Sequence, residues 1–170
     1  GCLLHTHGKE FRFIHKSIAE FLAARSLFVG LRGEYEMLLK TAAGDKWHLG
    51  INHQNLREEP EILARLEEMA KQDETIQGLL SDLIIKSREV AGLGVAAANA
   101  ITLLNRLGAN FSGMDLSEVQ IPGADLRGGK FHGTNFTGAN LTGVWFHRAW
   151  LSEAKFIGAN LAGVILGKSS

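Results

Sequence analysis

The chain has 170 residues with 18 basic and 18 acidic side chains, a formal net charge of zero. That balance argues against non-specific binding to nucleic acid by phosphate neutralisation, and against a polyanionic mimic of DNA. One cysteine, Cys2, excludes a disulfide framework and fits a cytoplasmic location. No apolar run approaches the ~20 residues of a bilayer span, so neither nucleic acid nor membrane is expected as a partner.

Residues 10–29, EFRFIHKSIAEFLAARSLFV, read as a short strand followed by a helix. Ser17-x-x-Glu20 forms a capping box, and Ile18, Phe21 and Leu22 supply the apolar stripe. CLLHTH before Gly8-Lys9 is expected to be the other strand of a hairpin. The stretch from Trp47 to Asn55 reads as loop. Glu59-Pro60 opens a helix with Ile62, Leu63, Leu66 and Met69 on one face. Asp73 caps the next, whose stripe is Ile76, Leu79, Leu80, Leu83 and Ile84. Residues 95–107, VAAANAITLLNRL, predict a third helix with Ala97, Ile101 and Leu104 on one side and Gly108 as its stop.

FRFIHKSIAEFLAARSLF resembles the C-terminal end of the winged-helix region in NACHT-type (STAND) signalling ATPases, whose pattern is roughly F-x-H-x-S-x-x-E-(F/Y)-x-A. The resemblance implies that His15 touches the ADP β-phosphate in an intact parent ATPase. The chain holds no G-x-x-x-x-G-K-(S/T) phosphate cradle. The ATPase core is therefore expected upstream, and no cofactor is expected for this chain.

From Ala109 the sequence breaks into fives: ANFSG, MDLSE, VQIPG, ADLRG, GKFHG, TNFTG, ANLTG, VWFHR, AWLSE, AKFIG, ANLAG and VILGK. The centres are Phe111, Leu116, Ile121, Leu126, Phe131, Phe136, Leu141, Phe146, Leu151, Phe156, Leu161 and Leu166, all of them Leu, Ile or Phe. Chance placement of apolar residues gives that outcome with odds of about 10⁻⁴. The residue two before each centre is small or compact, and the two share one side of an extended segment. The fifth residue is glycine in eight of the 12 units, as corners with positive φ require. All 12 centres are expected to form a structural core.

This grammar resembles the pentapeptide-repeat family over residues 109–168. The resemblance implies a right-handed quadrilateral β-helix of about three coils, four units to a coil, with residues 20 apart stacked in columns. The whole chain then reads as a multidomain α+β protein. Its expected parts are a winged-helix remnant at 1–33, a helical linker region at 34–94, and a capping helix plus β-helix at 95–170. This order also resembles the linker between ATPase and sensor in some multidomain NACHT proteins.

No nucleophile–base pair or metal cluster stands at a mechanistic spacing, so the chain is not expected to be an enzyme. His5-x-His7 and His48-x₄-His53 lack further ligands and read as hairpin and loop residues. The expected function is a scaffold or protein–protein interaction module, a fragment of a NACHT-type ATPase linking it to a sensor domain. The competing reading is a DNA-mimicking topoisomerase inhibitor, which the neutral charge disfavours. The outward Trp145, Trp150 and Ile165, with Lys130 stacked over Trp150 as a cation–π pair, form the candidate interaction surface. They are expected to meet either adjacent domains of the same chain or a separate protein. No lid follows Leu166, so the expectation is either that the full protein continues or that this uncapped C-terminal end pairs with another molecule, as in a homodimer.

Overall fold

The computed structural model describes residues 5–7, 10–12 and 55–167. Strands β1 (His5–His7) and β2 (Glu10–Arg12) pair antiparallel, with His5 opposite Arg12 and His7 opposite Glu10. His15, the helix expected after Ser17, His48 and His53 lie outside the described residues.

A 3-10 turn, η1 (Leu56–Glu58), leads into α1 (Pro60–Lys71), α2 (Glu74–Lys86) and α3 (Gly94–Arg106). Proline at the first position of α1 loses nothing, because its missing N–H would have had no partner within the helix. Asp73 caps α2 by accepting from the Thr75 N–H at 3.1 Å. Leu63, Leu66 and Ala70 on α1, and Ile76, Leu80, Leu83 and Ile84 on α2, are buried at helical spacing. Helix α3 stops in a Schellman motif. Gly108, at φ 83°, donates to the Asn105 carbonyl and Ala109 donates to that of Leu104, both at 3.0 Å.

Helix α3 was expected to show one apolar stripe, yet every residue from Ala96 to Leu104 is buried. The reason is its position between two packing partners. It lies against α2 and α1 on one side and against the repeat on the other, and all contribute to one continuous core.

The repeat winds as a coil with a 20-residue turn. Single-residue parallel bridges join Asn110 to Lys130, Asp115 to Asn135, Gln120 to Asn140 and Asp125 to Trp145, then continue at the same spacing to Trp145 and Ile165. Around the bridges from Asp115–Asn135 onward the backbone bonds alternate, as where Leu126 donates to the Trp145 carbonyl at 2.8 Å and Trp145 donates to that of Ala124 at 3.0 Å. This corrects the expected right-handed quadrilateral β-helix. From Asn55 to Gly167 the regular elements are helical, and the repeat contains neither a strand nor a sheet. The short period is the cause. A two-residue turn follows every three extended residues, so pairing is broken before a second consecutive residue joins it.

Each corner is built locally. Asn110, Asp115, Asp125, Asn135, Asn140 and Asn160 each accept from the N–H two residues on, at 3.0–3.2 Å. This is the Asx turn, which explains the polar residue between the inward-facing ones. The fifth position then takes positive φ. Where glycine is missing, Glu118, Arg148 and Glu153 hold φ of 57–62° instead.

Inside, the centres from Phe111 to Phe146 are buried. Phe111 stacks on Phe131 with centroids 5.0 Å apart, and Phe136 stacks on Phe156 at 5.3 Å. Phe146 meets the edges of Phe131 and Phe136. The expectation of a core of twelve needs correction at the far end. Leu151 and Phe156 are only partly buried, and Leu161 and Leu166 are 45% and 64% exposed. They belong to the last turn, which has no following turn beneath it among the described residues.

Candidate functional site

Two surfaces of the coil differ in chemistry, and the helical region determines which of them is free. The first turn would leave a row of backbone groups unpaired, but side chains from the helices take the place of a preceding turn. Thr102 on α3 accepts from the Asp125 N–H at 2.9 Å, and Ser87 accepts from that of Gln120 at 3.0 Å. Asn105 donates to the carbonyls of Asp125 and Arg127, and Arg88 donates to that of Asp115. Gly129 permits the approach of α3, since a Cβ there would lie 2.4 Å from Asn105 Oδ1 and 2.3 Å from Phe131 Cε2. Asn99, buried in α3, accepts from the Leu56 N–H at 2.8 Å and so fastens η1.

From η1 the chain clasps one corner of the coil. Asn55 Nδ2 donates to the Gly123 carbonyl at 2.9 Å, and Arg57 Nη1 donates to the Gly143 carbonyl one turn lower at 3.0 Å. Asn55 requires glycine beneath it, because a Cβ on Gly123 would meet its Nδ2 at 2.4 Å.

The sequence-predicted surface residues fall on two neighbouring columns. Trp145 lies between Asp125 and Ile165, and Trp150 lies beside Lys130. The cation–π contacts among the described residues both fall on Trp145. Arg57 stands 4.2 Å from the ring centroid and Arg127 stands 5.0 Å from it, whereas the pairing was expected between Lys130 and Trp150. Trp145 is thus half-buried under the helical region's own arginine, while Trp150 remains 71% exposed and Ile165 43% exposed. The four residues do not form one patch of equal character. Trp145 serves the intrachain contact, and Trp150 faces solvent.

Electrostatics sharpen this division. Arg127 holds the nearly buried Asp125 through two bonds, Nε to Oδ1 at 2.8 Å and Nη2 to Oδ2 at 2.5 Å. The hydrogen bond to Asp125 raises the guanidinium's pKa above its ordinary value. On the adjoining side, the Asp115 carboxyl is lowered by the hydrogen bond from Ser117, with Arg88 assisting. His132 and Ser152 lie 2.9 Å apart with Glu153 3.9 Å beyond. All three are exposed, so the pair lacks the dry setting that activates a serine.

Column arithmetic locates Trp145, Trp150, Lys130 and Ile165, and it brings Arg127 near Trp145 because Asp125 is its bridge partner. Nothing in the sequence points to Arg57, 88 residues away in the chain. Its Nε is buried without a hydrogen-bond partner, so the guanidinium spends part of its bonding capacity to cover the ring.

Residues 107–133 and 130–167 match the family of pentapeptide repeats, in 8 copies. The repeat segment is therefore a pentapeptide-repeat segment, and pentapeptide repeats generally mediate protein–protein interactions. No curated relative matches the chain. No described helix is long and apolar enough to cross a membrane.

Proposed function

We propose that the chain is a non-catalytic scaffold and protein–protein interaction module of the cytoplasm. The helical region and the coil act as one spacer, and the outer face of the coil receives the partner. The observation that carries this reading is Trp150, which is 71% exposed on the face of a coil whose packing does not need it. An exposed indole of that size is a typical anchor for a protein contact. In a parent protein, the same rigid joint would connect a NACHT-type ATPase upstream to a domain downstream. The motif around His15 supports that placement by resemblance. The test is a photo-crosslinking residue at position 150 in the intact protein. A discrete crosslinked protein, lost on excess of unlabelled chain, supports the reading; labelling no stronger than at Lys155 overturns it.

A second reading is self-association through the last turn, favoured by the exposure of Leu161 and Leu166. Sedimentation of Leu161→Ser/Leu166→Ser against the parent decides it: a shift from dimer to monomer supports the contact, and equal mass rejects it. DNA mimicry is not favoured, because Asp115, Glu118, Asp125 and Glu153 are spread over different columns and corners of the coil.

A further inference from the structure

The coil's formal neutrality hides a segregation of charge. Its described residues carry Arg127, Lys130, Arg148 and Lys155 against Asp115, Glu118, Asp125 and Glu153. Three of the four cations, Arg127, Lys130 and Arg148, lie on the column of Trp145, the column of Trp150, or the corner between them. Arg57 adds a fourth cation from the helical region. The carboxylate on the same two columns is Asp125, which is nearly buried and already held by Arg127. Along that corner runs a half-open cleft of about 510 Å³ lined by Arg127, Trp145, His147, Arg148 and Ile165. Arg148 is exposed, at the tip of its turn, and makes no ion pair among the described residues.

We infer that this cleft binds an acidic peptide segment carrying an apolar side chain, supplied by a protein partner; the inference rests on the interaction-module reading above. A carboxylate meets Arg148 in the cleft, with Lys130 on the adjoining column available to a second, and the apolar side chain lies against Ile165 and the uncovered part of Trp145. Charge complementarity favours this occupant, because the cleft presents cations with no exposed carboxylate of the coil beside them. A nucleic acid strand fits less well. Stacking needs an open aromatic face, whereas the ring that lines the cleft, Trp145, is covered by two guanidinium groups and Arg127 is neutralised.

The test is fluorescence anisotropy on the full chain with a short labelled peptide alternating glutamate and leucine. Peptides with lysine or serine in place of glutamate, and a single-stranded oligothymidylate, serve as comparisons. The acidic peptide is expected to bind saturably and to weaken several-fold as salt rises from about 50 to about 300 mM. Arg148→Gly suits the left-handed turn and preserves the fold, which a circular dichroism melt checks. It is expected to weaken binding about threefold, and Arg148→Glu about tenfold, while Lys155→Glu on another column changes nothing. Absence of binding by the acidic peptide overturns the inference. So does equal binding by Arg148→Gly, equal binding of the serine peptide, or tighter binding of the oligothymidylate. A partner that crosslinks at position 150 but is not competed by the acidic peptide preserves the interaction module and removes this cleft from it.

Discussion

The first and last turns of the coil obey the same five-residue grammar and meet different fates. In the first, Phe111, Leu116, Ile121 and Leu126 are buried, and Thr102, Ser87, Asn105 and Arg88 supply the hydrogen bonds that a preceding turn would have supplied. In the last, Leu161 and Leu166 occupy equivalent positions and are exposed. The contrast shows that an inward-facing position is only an offer of burial. Its value depends on whether something covers the turn, and here a helix with hydroxyl and amide side chains covers one end. The polar cover also blunts an edge that would otherwise recruit another chain.

The largest expected effect comes from placing the same charge in one column at two heights. Leu141→Asp buries an unpaired carboxylate and is expected to cost about 3–5 kcal/mol, unfolding the repeat region in a urea melt followed by circular dichroism. Leu161→Asp, one turn lower in an exposed position, is expected to cost less than about 1 kcal/mol. Equal losses would show the two ends to be alike and break the comparison.

Next is Gly129→Ala. The added methyl meets Phe131 and Asn105 at once, and about 1–3 kcal/mol should be lost in the same melt. An unchanged midpoint would mean that α3 is not seated tightly on the first turn. Thr102→Val keeps the shape of the cap but leaves the Asp125 N–H without its acceptor, at an expected cost of about 1–3 kcal/mol. Faster hydrogen exchange at the Asp125 amide would localise that loss.

The smallest effect tests the outer side of the helical region. Glu67 accepts from Lys71 at 2.8 Å and pairs with Arg106 at 3.0 Å, joining α1 to α3. The Lys71 hydrogen bond, with Arg106 beside it, lowers the carboxyl's pKa from the ordinary 4.5. A depressed folded-state pKa means that the pair's stabilisation is complete above about 4.5 and disappears as pH falls through the lowered value. Glu67→Gln should therefore cost less than about 1 kcal/mol at pH 7, and progressively less as pH falls below about 4.5 and through the lowered value. A difference that persists in acid would assign the effect to packing instead of charge.

Much of the architecture was legible because it rests on local chemistry. Pro60, Asp73 and Gly108 mark helix ends through the bonding needs of adjacent backbone groups. The Asn and Asp residues of the repeat shape corners by reaching two residues forward. What stayed hidden involves distant partners. No pattern in VAAANAITLLNRL tells whether one face or all faces will be covered, since alanine suits either. Trp145 looked like Trp150 in sequence, and the guanidinium groups of Arg57 and Arg127 over one ring separate them.

The amino-acid order by itself determined the period of five, the corners and the helix-end signals at Pro60, Asp73 and Gly108, because these depend on groups a few bonds apart. Tertiary structure alone decided that the bridges stay single and that one tryptophan is covered while the other is free. Those outcomes are set by which surfaces stack in space, and that depends on contacts between segments 20 to 88 residues apart.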